Sequence, residues 1–335
     1  MTALPFAYGG PPLRGTLRSM PEDFFVDEHL GFEPDGVGEH VFVHIEKRGA
    51  NTDWIARELA KFAGVPPMNV SYSGIKDRHA MTRQTFSVHM PGKPDPDWRA
   101  FDSDERRVIS ATRHGRKLKR GTHKSNAFRI VLRNVEGDRE SLDAVVRKIA
   151  ANGVPNYFGE QRFGRDASNV ERAIAMFAGK RVDRHERSLL LSAARSELFN
   201  RVLAERVASG TWNTPLDGDV WMLHGTHSIF GPEPISAELA ERCARGDVGP
   251  TGPMWGEGNL RSESGVSDIE RAVAEGEPAL AKGLEQAGLR QERRALFLRA
   301  ENLATEWLSD DVLSVSFVLS AGAYATVVLR EFCES

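Results

Sequence analysis

Near the C-terminus, Val312, Ser314 and Ser316 alternate with Leu313, Val315 and Phe317. This is the period-two pattern of a half-buried strand, and it follows a long stretch of helical pattern. The same signal runs through the start of the chain. Phe24-Phe25-Val26 follows Pro21-Glu22-Asp23, Val41, Val43 and Ile45 alternate with Phe42 and His44, and Phe86, Val88 and Met90 alternate further on. A late, isolated strand must pair its backbone groups with something, so it is expected to rejoin the N-terminal sheet. The helix-rich middle then reads as an insertion into one α+β domain, without the regular alternation of a doubly wound sheet.

Between these strands, Thr52 is placed to cap a helix carrying Ile55, Leu59 and Phe62, which Gly64 and Pro66-Pro67 stop. Arg107–Ala111 and Phe128–Leu132 read as strands, and 138–151 as a helix with Leu142, Val145, Val146 and Ile149 on one side. From Ser168 onward helices dominate: one bears Val170, Ile174 and Phe177, and a long one runs from Arg184 to Ala208. Trp212 to Asn259 reads as irregular, and Asp268–Ala274 and Pro278–Leu289 as helical. Tyr324 to Phe332 reads as a short helix or strand.

The densest polar stretch is Ser73-Gly74-Ile75-Lys76-Asp77-Arg78-His79-Ala80-Met81-Thr82-Arg83-Gln84, between two strand-like runs. Asp77 is its single acid. Flanked by Lys76 and Arg78, it is expected to be ionised at neutral pH. Such a carboxylate serves as nucleophile, base or metal ligand, or as half of an ordinary ion pair.

A second stretch, 113–124, holds six fixed cations (Arg113, Arg116, Lys117, Lys119, Arg120 and Lys124), two histidines and no acid. The whole chain carries a net charge of −3, so any attraction to nucleic acid has to come from a local patch of this kind. The alternative is a solvated basic face. Asn156-Tyr157-Phe158-Gly159-Glu160-Gln161-Arg162-Phe163-Gly164 reads either as a hinge whose aromatics close the core or as a stacking surface for bases beside Arg162.

No glycine-rich phosphate cradle and no Gly-x-Ser-x-Gly is present. Cys243 and Cys333 are far apart, which argues against a structural metal or disulfide framework. His224 and His227 form a turn pair rather than a metal site. Neither a cationic, apolar leader nor a membrane-length apolar run is found, so the expected setting is the cytoplasm. An acid, a basic loop, aromatics and amides without a cofactor motif favour RNA as the partner.

The Ser73–Gln84 stretch resembles the signature of the TruD family of tRNA pseudouridine synthases. Pro21-Glu22-Asp23-Phe24, Lys124-Ser125-Asn126-Ala127-Phe128, Val154–Gly164, Leu189–Ser196 and Ala321-Gly322-Ala323-Tyr324-Ala325-Thr326 resemble further family stretches, in the same order. The resemblance implies a pseudouridine synthase fold, with a largely antiparallel mixed sheet and a helix-rich TRUD insertion domain. The expected divisions are 1–151 (catalytic, first part), 152–302 (insertion) and 303–335 (catalytic, completing the sheet).

It further implies cofactor-free, metal-free conversion of uridine to pseudouridine in tRNA, at position 13. Asp77 matches the catalytic aspartate. Phe24, Asn126 and Phe128 match the uridine pocket, with Arg18 as a basic partner of the aspartate. Lys76, Arg78, His79, Arg162 and the cations of 113–124 are the expected RNA contacts, and the protein is expected to be a monomer. A non-catalytic tRNA-binding or RNA-folding protein on the same scaffold is the competing reading.

The reaction breaks the N1–C1′ bond, turns the base and joins C5 to C1′. Stacked RNA hides these atoms, so the nucleotide must flip into a pocket. Asp77 then attacks C1′ or C6, or removes the C2′ proton.

Overall fold

The computed structural model describes residues 4–164, 166 and 168–334. In chain order the first elements are β1 (Leu13–Leu17), β2 (Phe24–His29), β3 (His40–Arg48), α1 (Thr52–Phe62), β4 (Val70–Tyr72), β5 (Met81–His89), β6 (Arg106–His114), β7 (Ser125–Gly137) and α2 (Arg139–Asn152). Then come β8 (Val154–Pro155), α3 (Ser168–Phe177), α4 (Arg184–Ala208), β9 (Trp221–Leu223), β10 (Ile229–Phe230), α5 (Ala237–Arg245), β11 (Val248–Met254), α6 (Ser264–Gly276) and α7 (Pro278–Gln286). The chain ends with β12 (Glu292–Ala295), β13 (Phe297–Leu298), β14 (Glu301–Ser309), β15 (Val312–Ser320), α8 (Ala325–Leu329) and β16 (Cys333–Glu334).

Two compact units result. One comprises 12–146, 300–323 and 333–335, the other 1–11, 147–299 and 324–332. The first is built on a ten-stranded sheet whose main path runs β14-β15-β7-β2-β5-β3-β6. Its ladders are antiparallel except β2 with β5 and β1 with β16. The late strand does rejoin this sheet: β15 pairs with β7 from Leu313–Leu132 to Ser320–Ser125.

The odd residues of β3 (Val41, Val43, Ile45) share one face with Phe86 and Val88 of β5. Ile55 and Leu59 of α1 pack onto them. This apolar face is the core, as the i, i+4 spacing on α1 requires. The cap of α1 is Asn51, not Thr52: Asn51 Oδ1 accepts the Asp53 N–H at 2.8 Å. Thr52 is turned inward and fully buried.

The second unit packs α3, α4, α6 and α7 around Leu190, Ala194, Leu198, Leu280 and Leu284. Residues 212–259 are more ordered than their sequence suggests. β9 and β10 form a hairpin, and β11 pairs with both β9 and β12. β11 is Val-Gly-Pro-Thr-Gly-Pro-Met, rich in residues that weaken strands. A Cβ on Gly252 would come 2.9 Å from Leu296 and 3.1 Å from Phe199, so close packing demands the glycine. On α5, Leu239 and Cys243 are the buried pair, too few for a periodic signal.

The junction aromatics close the core rather than form a stacking surface. Tyr157, Phe158 and Phe163 are buried, and Asn156 and Asn200 tie the backbone. Among the described residues no helix is long and apolar enough to cross a membrane.

Candidate active site

The polar stretch is a loop only over 73–80, since Met81–Gln84 already belong to β5, and buried side chains hold that loop. Lys47 continues the odd set of β3. It is fully buried, and its Nζ donates to Ala50 O at 2.7 Å and Asp77 O at 3.3 Å. Burial pushes its pKa down to about 8, while the Asp77 charge pulls it back up. Thr52 Oγ1 accepts the Lys76 N–H at 3.1 Å and donates to Gln84 Oε1 at 3.2 Å, and Gln84 Nε2 donates to Gly74 O. Lys76 Nζ is 2.6 Å from Glu28 Oε2, with both side chains buried. These ties fix the backbone on either side of Asp77.

Asp77 is left at the surface of this frame. Its Oδ1 accepts the His79 N–H at 2.9 Å and its Oδ2 lies 2.9 Å from Arg18 Nη2. Among the described residues each oxygen thus uses one of its two lone-pair directions, which leaves the second for a substrate. Arg18 follows β1 with φ of +60°, a left-handed conformation uncommon for a non-glycine residue. Its guanidinium lies 4.5 Å from the centre of the Phe24 ring. That contact and the ion pair together hold the arginine in place.

An aromatic wall stands beside this pair. Register places Phe24 opposite Ile130, Val26 opposite Phe128, and Phe128 opposite Phe317, so the three rings share one face. Phe24 and Phe128 meet edge to face at 6.2 Å, and Phe128 and Phe317 stack at 5.4 Å.

Further along β7, Asn126 is buried, with its Nδ2 3.3 Å from His123 Nε2. His123 Nδ1 is 2.7 Å from Ser73 Oγ, and its backbone N–H donates to the same oxygen. Burial pushes the His123 pKa down, so the ring is neutral at pH 7. A neutral ring that accepts at Nε2 carries its proton at Nδ1 and donates to Ser73. Among the described residues Asn126 Oδ1 is then a buried acceptor without a partner, a costly arrangement unless something arrives to use it. Phe24, Asn126, Phe128, Arg18 and Asp77 are therefore gathered on one face of one unit.

The expected RNA contacts divide. Arg78, His79, Arg116, Lys117, Lys119, Arg120 and Lys124 are exposed. Lys76 is corrected to an internal role, because its charge is spent on Glu28 under the sheet. Arg113 likewise serves the fold: it pairs with Asp95 at 2.9 Å and donates to Lys93 O and Met90 O. Arg120 lies over the Tyr72 ring at 4.0 Å and donates to its hydroxyl at 2.8 Å. Arg162, in the other unit, donates to Ser192 Oγ at 2.9 Å and Tyr324 Oη at 2.7 Å, which links three of the family-like stretches structurally. Asp23 is buried and bound by Arg133 at 2.8–3.1 Å.

Sequence reading missed Lys47, Glu28, Thr52, His123 and Phe317. For two of them the signal was present. Lys47 extends the buried series 41, 43, 45, and Glu28 extends 24, 26. A charge in a buried phase marks a residue that the fold must satisfy.

Comparison with known proteins identifies the family. The family model for tRNA pseudouridine synthase D (TruD) matches residues 2–176 and 167–332. The chain is similar to the tRNA pseudouridine synthase D of Xanthomonas axonopodis pv. citri, 49% identical over 98% of this chain and 94% of that protein. It is also similar to the tRNA pseudouridine synthase D of Methylococcus capsulatus, 47% identical over 99% and 94%. The crystal structure of the putative tRNA pseudouridine synthase D from Methanosarcina mazei superposes with a TM-score of 0.74, covering 98% of this chain and 95% of that one. At 22% identity it speaks for the fold.

Proposed function

The chain belongs to the tRNA pseudouridine synthase D family, and on that premise we propose that Asp77 is the carboxylate that acts on the ribose or the base. The enzyme isomerises uridine to pseudouridine in tRNA. The observation that carries the residue assignment is the Asp77–Arg18 pair standing beside an aromatic wall and the unpartnered Asn126 oxygen.

A flipped uracil presents one N–H donor and two carbonyl acceptors. Its face lies against Phe128, Phe24 and Phe317 bound the slot, and its N3–H donates to Asn126 Oδ1. The ribose then falls toward Asp77. Attack at C1′ or C6, or removal of the C2′ proton, asks the same of the protein: a charged oxygen with an open lone pair. Arg18 steadies that oxygen and offers a second donor group to the departing base. Both bonds change inside one site, so the base stays in the slot while it turns.

Position 13 of tRNA is the proposed target, the cytoplasm the proposed setting and a monomer the proposed state. Residues 1–151 and 303–335 are read as the catalytic part and 152–302 as the insertion, although by compactness 1–11, 147–151 and 324–332 go with the second unit and 300–302 with the first. Exposed Arg78, His79, Arg116, Lys117, Lys119 and Lys124 are read as contacts to the RNA backbone.

The test is release of label from C5 of uridine in tRNA. The wild type releases it and Asp77→Asn does not, while tRNA affinity stays within about threefold, because phosphate contacts lie elsewhere. Release by Asp77→Asn displaces the aspartate from its role. No release by either protein, with tRNA still bound, favours the RNA-binding reading.

A further inference from the structure

A second cleft of about 710 Å³ opens in the sheet-based unit, within the 300–1,000 Å³ range of small-ligand sites. It lies on the other side of the sheet from Asp77. Phe42, on its floor, belongs to the even set of β3, whereas Lys47 of the odd set holds the Asp77 loop. Side chains of adjacent parity point to opposite faces.

The walls are two loops, 30–39 and 114–124, tied in advance. Gly36 N–H donates to Arg113 O at 2.9 Å, Lys124 N–H to His29 O at 2.9 Å, and Gly115 N–H to Asp35 Oδ2 at 3.0 Å. His114 Nδ1 is 2.9 Å from the same oxygen.

Three rings meet there. Phe42 and His114 are buried, with centroids 4.5 Å apart, and Phe32 lies 5.5 Å from His114 at a tilt of 34°. Phe32 is 40% exposed, an apolar face turned to solvent. Beside it Arg116, Lys117 and Lys119 line the rim, and none of the three has an ion pair among the described residues. Asp35 lines the cleft, and among the described residues its carboxylate contacts, from Gly115 and His114, fall on Oδ2 and leave Oδ1 without one. A stacking ring, a cationic rim and one open carboxylate oxygen match the three parts of a nucleotide: base face, phosphate and base edge.

We propose that this cleft binds one unpaired nucleotide of the RNA other than the reacting uridine, with the base on Phe32 and the phosphate among Arg116, Lys117 and Lys119. Asp35 Oδ1 accepts from an exocyclic amine, so adenine and cytosine are preferred to uracil, whose single N–H is flanked by two carbonyls. The basic loop continues from the cleft to the reacting site, where Gly121 N–H donates to Ser73 O at 2.8 Å. The loop that lines the cleft is thereby tied directly to the loop that carries Asp77. The inference rests on RNA being the substrate, and not on Asp77 being the acting carboxylate.

The experiment is fluorescence anisotropy of labelled adenylate, cytidylate and uridylate trinucleotides with the full chain at several salt concentrations. Adenylate and cytidylate bind about fivefold or more tightly than uridylate. Phe32→Ala weakens adenylate binding about tenfold, the cost of one lost stack, without altering the salt slope, and Phe32→Tyr restores it. Asp35→Asn keeps the oxygen that Gly115 uses but turns an amine outward, and so shifts the preference toward uridylate. Equal affinity for the three trinucleotides overturns the proposal. So does adenylate binding that stays within twofold in a folded Phe32→Ala protein, or that Phe32→Tyr fails to restore. Adenylate contains no uridine, so these outcomes are independent of label release by Asp77→Asn.

Discussion

The amide of Asn126 can turn either its oxygen or its NH2 toward the uridine pocket, and the neighbouring imidazole decides between them. While His123 is neutral, its Nε2 accepts from Asn126 Nδ2 and the oxygen faces the substrate. The His123 pKa lies below its ordinary 6.5 because of burial first and the Lys76 charge second. The ring therefore charges only at a pH below that value. A charged ring carries a proton on Nε2, drives the amide to turn, and presents NH2 to an N–H donor. The sign for stability is the same: below pH 6.5 the unfolded chain binds the proton first, so stability falls as pH drops. We expect KM for label release to rise at acid pH in the wild type, and that rise to be absent in His123→Gln. An unchanged acid limb in the variant would assign the effect to another group. Asp77, Phe24, Asn126 and Phe128 were legible in the sequence because they sit in family-like stretches. His123, Lys47 and Thr52 were not, since their work depends on partners 24 to 50 residues distant that no local pattern reveals.

At the scale of elements, α1 is both a core helix and the bracket for the reacting loop. Its apolar stripe was readable, but its start was misplaced by one residue. Asn51 has the cap, and this frees Thr52 to point into the sheet, where it serves Lys76 N–H and Gln84 at once. Thr52→Val keeps the shape and removes both bonds. It leaves a buried N–H unsatisfied, at a cost of about 1–3 kcal/mol. The urea midpoint should fall accordingly, and label release should fall by more than the folded fraction does. Loss of stability with full activity per folded molecule would show that the bracket does not position Asp77. Strands with clean alternation (β3, β5, β15) were legible for a physical reason, since one side faces the core. β11 was hidden because close neighbours at Gly249 and Gly252 select glycine over strand formers.

For the molecule as a whole, charge is a matter of placement. The net value is −3, and yet Arg116, Lys117 and Lys119 stand exposed on one loop. Of the six cations in 113–124, Arg113 is paired with Asp95 and Arg120 rests on Tyr72 while staying exposed, a distinction that composition cannot make. Each phosphate contact contributes about 0.9 to the slope of log affinity against log salt on duplex, and about 0.7 on single strands. Replacing Arg116, Lys117 and Lys119 by glutamine should therefore flatten the tRNA-binding slope by about two to three. Replacing Arg113 or Arg120 should lower the melting temperature with little change in slope. An unaltered slope in the triple variant would remove this loop from the RNA interface.

The pairing of β7 with β15 also has a consequence in time. β7 ends at residue 137, and the strand that covers its edge ends at residue 320. At about 5–20 residues per second, a ribosome needs roughly 10–40 s to make the intervening chain. Through that interval the nascent sheet carries an open edge, and the slot lacks the Phe317 wall. An uncovered edge is a template for wrong pairing, so the growing chain stays open to that hazard until its last strands emerge. Chains arrested at residue 300 should be cut by protease within β7, whereas released full-length chains should resist. Equal resistance would mean that the early strands shield themselves, and that catalytic competence and structural safety are not delivered together at the end of synthesis.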